Sequence, residues 1–195
     1  MINADLRRID DIVNIYKEYR KNFATLDVFI NNAGETQKAK FLDTTEEMFD
    51  NMCDVDFKGA YFCMQEAAKL MIENGTQGSI IAISSNNADA VFADVSVYGS
   101  VKSAVSKLVK HAAIELAKYN ITVNAVSPGW TDTGASRLDA KEDTYYKIPL
   151  KKWTTPVEVA DACLSLISLK SVTGTNLVVD NGAILVSDKR ERYGF

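Results

Sequence analysis

Four short apolar runs, LDVFI (26–30), SIIAIS (79–84), ITVNAVS (121–127) and TNLVVD (175–180), alternate with longer segments of helical periodicity. No other feature constrains the fold so tightly. Strands that are apolar at successive positions must be buried on both faces. The alternation predicts a parallel sheet covered by helices on both sides.

Between the runs, Ile9, Ile12, Val13, Tyr16 and Tyr19 mark one face of a first helix. Thr44 with Glu47 reads as a capping box. A helix over about 55–73 carries Phe57, Ala60, Tyr61, Met64, Ala67, Ala68 and Met71 on one stripe. Val55, Phe62, Cys63 and Leu70 lie outside that stripe. So wide an apolar surface predicts burial against the sheet on one side and a partner subunit on the other. A long helix follows over about 95–119. Another starts at Thr155-Pro156-Val157-Glu158, with proline at its first position and a second capping box. Residues 1–195 read as one domain, with no repeat or low-complexity linker.

Parallel sheets bind ligands beyond the carboxyl ends of their strands. Polar groups gather there: Asn31 and Asn32 after the first run, Ser84 and Ser85 after the second, Pro128 and Gly129 after the third. Tyr98 begins the long helix, and Lys102 follows one turn later on the same side. A phenol alone ionises near pH 10, and a neighbouring ammonium favours its phenolate. Ser85 could hydrogen-bond a carbonyl or alcohol oxygen. The set suits proton transfer coupled to hydride chemistry, with no metal needed.

Charge and composition narrow the alternatives. The net charge of −4 argues against nucleic acid as a partner. The three cysteines form no CxxC pair, and His111 is the single histidine, so a zinc site is not expected. A Ser-His-Asp triad would have to use His111, which sits in a helical run. The cysteines read as small apolar fillers in a reducing compartment. No run is long and apolar enough to span a membrane, and the N-terminus lacks a signal-peptide pattern. These readings predict a cytoplasmic protein.

Asn31-Asn32-Ala33-Gly34, Ile83-Ser84-Ser85, Tyr98-x-x-x-Lys102, the VNAVSPG stretch (123–129) and Val179-Asp180-Asn181-Gly182 together resemble the short-chain dehydrogenase/reductase family, in its order and spacing. The segment 148–166 is similar to the family's stretch before its last helix. The resemblance implies a Rossmann-like doubly wound parallel sheet and NAD or NADP as cofactor. It implies a secondary alcohol or ketone as substrate, of sugar, polyol or 3-oxoacyl type, and a homodimer or homotetramer. It casts Tyr98 as general acid/base, Lys102 as its activator and ribose ligand, and Ser85 as the group orienting the substrate oxygen. Asp5, Leu6, Asn32, Ala33, Gly34, Pro128, Gly129, Thr131 and Thr133 would line the cofactor, with Tyr98 and Lys102. Asn31 is structural in this reading, and 131–152 would cover the substrate.

Two departures stand out. Where the family usually has asparagine this chain has Asp56, either structural or catalytic, as in some sugar- and polyol-reducing members. The family's opening glycine-rich turn, which cradles the pyrophosphate, has no counterpart: the first glycine is Gly34. MINAD (1–5) resembles the tail of the family's third strand, so the first two strand–helix units are expected to be lacking. LDVFI would then form an apolar edge. A rival reading follows, a truncated, cofactor-free chain acting as an interaction module through the wide apolar faces of helices 55–73 and 95–119. NAD and NADP cannot be told apart, because the discriminating residues belong to the lacking second strand. Tyr145, Tyr146 and Trp153 could pack or meet substrate, and Asn86 and Asn87 could face substrate or cap their loop.

Overall fold

The computed structural model describes residues 1–134 and 148–186. Four parallel strands form one sheet in the order β1 (Val28–Asn31), β2 (Ser79–Ile83), β3 (Thr122–Pro128), β4 (Asn176–Val179). Val28 faces Ser79, Ser79 faces Thr122, and Ala125 faces Asn176. Helices α1 (Ile9–Arg20), α2 (Glu46–Met52), α3 (Ala60–Glu73), α4 (Ser96–Leu116) and α5 (Pro156–Ser168) connect or cover the strands. The parallel α/β sheet is the predicted one.

The pattern of burial explains the layers. β2 and β3 are buried almost throughout. Ile80, Ala82, Val123 and Ala125 pack with Ile12 and Tyr16 of α1, with Ala67 and Met71 of α3, and with Val105 and Val109 of α4. The alternate residues Ile81 and Val126 pack with Cys163 and Leu166 of α5. Each fully buried Ile or Val contributes about 1.5–3 kcal/mol. The Tyr16 hydroxyl donates to the Cys63 carbonyl at 2.6 Å, which ties α1 to α3. Burial pushes the Cys63 thiol up to about 11. Asn124 of β3, fully enclosed, donates to the Val172 carbonyl and accepts from Thr175 N–H, stapling the approach to β4.

LDVFI forms the expected apolar edge rather than a strand buried on both faces: β1 lies at the sheet edge, with Val28 and Ile30 37% and 43% exposed. Three expectations are corrected. Residues 1–5 are not a strand tail. The bonds at Asp5 are local: its N–H donates to Asp11 Oδ2, its carbonyl accepts from Arg8 N–H, and its side-chain Oδ1 accepts from Arg7 N–H. The first capping residue is Thr45, not Thr44. Thr45 accepts from Met48 N–H, while Thr44 donates its hydroxyl to the Lys40 carbonyl. The helix expected from about 55 begins earlier, as a π-helical segment, Cys53–Gly59, between α2 and α3. Such widened turns frequently mark functional sites, and this one carries Asp56.

Candidate active site

The site is built where β2 ends and α4 begins. Ser84 sends its hydroxyl to the Lys102 carbonyl at 3.0 Å and shares a 2.7 Å hydrogen bond with the Ser106 hydroxyl. Ser103 of α4 donates to the Ala88 carbonyl at 2.8 Å. These bonds strap the first turns of α4 to the loop that carries Ser85. Ser85 is buried, and its oxygen accepts from the Asn87 backbone and side-chain N–H groups at 3.1 and 3.3 Å. Both bonds are accepted, so the O–H proton can be donated to a substrate oxygen. Ser85 is thus the cap of the short turn Asn86–Ala88, and Asn87 is the donor that holds it.

Lys102 runs inward from α4 and is almost fully buried. Its ammonium lies 5.6 Å from the centre of the Tyr98 ring and donates to the Ile83 carbonyl at 3.2 Å. The Asp56 carboxylate stands 3.2 Å away, with no side-chain exposure. Asp56 Oδ1 accepts from Glu35 N–H at 2.6 Å. Oδ2 has the ionic contact with Lys102 and no aligned hydrogen bond. Burial pushes the Asp56 carboxyl above its ordinary value, and the Lys102 charge only partly offsets that.

Gly34 roofs this pair. A Cβ there would lie 3.1 Å from Lys102 Nζ and 3.2 Å from Asp56 Oδ2. Asp5, Leu6, Arg7, Ala33, Gly34, Glu35 and Val55 line an open groove of about 790 Å³. Asp5, Leu6, Ala33 and Gly34 thus meet in one groove, and Asn32 is exposed in the same loop. Arg7 is bonded to Asp5 and holds its carboxyl down at about 2.

A buried network joins the other strand ends. Asn86 donates to Asp180 Oδ2 at 3.3 Å, and Asp180 also accepts from the Gly182 and Ile184 N–H groups. Asn86 is therefore structural. Gly129 sits against Asp180 so closely that a Cβ would come within 2.6 Å of its Cβ. Thr131 donates to the Gly129 carbonyl and pairs with Thr154, and Thr133 N–H returns to the Thr131 carbonyl. Trp153 packs with Ile148 and Ala183. Of the expected covering segment, 135–147, with Tyr145 and Tyr146, lies outside the described residues. His111 lines a separate groove between α3 and α4.

Sequence reasoning missed Glu35, whose backbone fixes Asp56, and the Ile83 carbonyl, which fixes Lys102. Backbone groups leave no trace in side-chain patterns. Only the position of Glu35 next to Gly34 could have pointed to it.

Together these features define a Rossmann-type oxidoreductase. A family profile described as enoyl-(acyl carrier protein) reductase matches residues 1–183. The chain is 33% identical to the uncharacterized oxidoreductase YohF of Escherichia coli, over 96% of this chain and 76% of that protein. It is 33% identical to the 3-oxoacyl-[acyl-carrier-protein] reductase FabG of Staphylococcus aureus, over 93% and 75% of the two. The solved structure of ElxO with NADP bound superposes with a TM-score of 0.89 at 31% identity, over 94% of this chain and 77% of that one. The chain belongs to the short-chain dehydrogenase/reductase family.

Proposed function

We propose that this chain interconverts a secondary alcohol and a ketone with NAD or NADP, using Tyr98 as the general acid/base. The observation that carries the reading is the buried Lys102 ammonium 5.6 Å from the Tyr98 ring, anchored from the strand end by the Ile83 carbonyl. The residues fit the nicotinamide–ribose half of a dinucleotide. Gly34 leaves open the space above Lys102 that a side chain would take, and Thr131 and Thr133 follow the close turn at Gly129. The acidic lining of Asp5, Asp11 and Glu35 suits ribose hydroxyls better than phosphates. When bound, the nicotinamide gives or takes the hydride. Tyr98 then moves a proton to or from the substrate oxygen, Ser85 donates a hydrogen bond to that oxygen, and Lys102 favours the phenolate and holds the ribose.

Substrates of sugar, polyol or 3-oxoacyl type are supported by the names of relatives: FabG, and the L-rhamnose 1-dehydrogenase of Azotobacter vinelandii, 32% identical over 93% of this chain and 73% of that protein. A homodimer or homotetramer is supported by the groove of about 580 Å³ between α3 and α4, lined by Phe57, Tyr61, Ile72 and Leu108. Phe57, Tyr61 and Ile72 are each more than a third exposed.

Replacing Tyr98 with Phe should cut NAD(P)-linked turnover by about 10²–10⁴-fold without loss of fold. Undiminished turnover would remove Tyr98 from the mechanism. The interaction-module reading is supported by the same groove between α3 and α4 and by the exposed apolar edge of β1. Titrating NADH and NADPH by nicotinamide fluorescence separates the two: saturable binding supports the enzyme, and none at millimolar cofactor supports the module.

A further inference from the structure

We propose that Asp56 is a positioning residue: its carboxylate pairs with Lys102, holds that ammonium under Gly34, and weakens the positive field reaching Tyr98. The inference deepens the oxidoreductase reading and rests on it for its functional meaning. Its physical content is carried by the chain alone.

Asp56 is held in place from two sides. The π-helical turn Cys53–Gly59 brings it beneath Gly34, and the 2.6 Å hydrogen bond from Glu35 N–H fixes Oδ1. Oδ2 is thereby directed to Lys102, at 3.2 Å. A carboxamide in the same place could accept from the ammonium but would not cancel its charge. The family's usual asparagine and this aspartate therefore differ at one point, the net charge beside the phenol.

The other charged groups leave that difference intact. Glu35, from the loop after β1, disfavours the Asp56 charge. Asp54 and Lys58 on the same segment pair with each other at 2.9 Å. Arg7 is bound to Asp5. Lys102 faces only Asp56, the Ile83 carbonyl and the Tyr98 ring among the contacts described above.

The test uses the ligand-free chain, so that failure to turn over NAD(P)H does not affect the outcome. Alkaline titration of tyrosinate absorbance is recorded for the unsubstituted chain and for Asp56→Asn. The Tyr98 contribution is isolated in each background by subtracting the matching Tyr98→Phe variant. In Asp56→Asn it should appear at a lower pH, by about one unit, the low end of what an uncompensated opposite charge close to a titrating group does. The side-chain ammonium signal of Lys102 should be seen by ¹⁵N NMR in the unsubstituted chain and be lost through faster exchange in Asp56→Asn. If that variant does not fold, the unsubstituted chain still decides. Its Asp56 carboxyl ¹³C shift should show a second step as Tyr98 ionises. An unmoved Tyr98 titration, or an Asp56 carboxyl blind to Tyr98, overturns the proposal.

Discussion

The Lys102 ammonium and the Asp56 carboxylate lie 3.2 Å apart, and both side chains are closed off from solvent. Two charges in such a place stand or fall together. Each has lost its water, and their mutual attraction is the main compensation. A polar pair this deep is therefore a poor source of stability and a strong source of geometry.

Lys102→Met should expose that asymmetry. It leaves a buried carboxylate without its counter-charge, and chemical denaturation should show a loss of about 3–5 kcal/mol near neutral pH. Adding Asp56→Leu removes the orphan, and the double variant should recover most of the loss. A double variant as unstable as the single one would show that Lys102 supports the fold by packing alone.

The pH dependence of stability should carry the signature of Asp56. Its carboxyl is raised in the folded chain because burial outweighs the attraction of Lys102. A raised acid binds its proton more tightly folded than unfolded. Its contribution is then fully present below the ordinary carboxylate range and is lost as pH rises through the raised value. The stability of the chain relative to Asp56→Asn should fall with rising pH across that window. Denaturation midpoints at several pH values measure this, and a difference that rises with pH would reverse the sign assigned to Asp56.

Gly129→Ala should disturb the far side of the site. The new methyl would stand 2.6 Å from Asp180 Cβ and 2.9 Å from its Cα, so backbone must shift. The expected cost is about 1–3 kcal/mol, with weaker NAD(P)H fluorescence enhancement as the turn leading to Thr131 moves. Unchanged thermal stability would mean that the Asp180 turn yields freely.

The start of α5 gives a prediction independent of catalysis. Thr155 accepts from Glu158 N–H, and Glu158 accepts from Thr155 N–H, a complete capping box. Lys152 bonds to the same Glu158 carboxylate and, with Thr155, lowers it to about 2. Thr155→Ala should destabilise the chain by about 1 kcal/mol. The carboxylate's own contribution is present above the ordinary glutamate value and fades as pH falls towards 2. Carboxyl NMR should find Glu158 titrating at the acid end of the glutamates. A midpoint in the ordinary range would break the box.

Much of this was legible in the sequence because it depends on periodicity and local chemistry. The apolar runs placed all four strands to within two residues. Thr155 with Glu158 marked the start of α5. The Tyr98–Lys102 spacing set both groups on one side of α4, since a helix returns to the same face every turn. The same local rules failed where neighbours decide. Thr44 and Thr45 are both plausible caps, and which one serves depended on whether the side chain faced Met48 or the Lys40 carbonyl. MINAD reads as the tail of a strand, yet Asp5 N–H bonds to the Asp11 side chain and the Asp5 side chain accepts from Arg7 N–H.

The sequence by itself determined a parallel α/β sheet and the cast of side chains at its strand ends, because burial patterns and helical turns are properties of short stretches. The tertiary structure alone decided that Asp56, 46 residues before Lys102, meets it beneath Gly34 and a backbone carbonyl of β2. That choice is non-local. It depends on a widened helical turn, a glycine whose methyl would crowd the pair at 3.1 and 3.2 Å, and a main-chain N–H from Glu35, and in a dry interior those few ångströms set the charge the site carries.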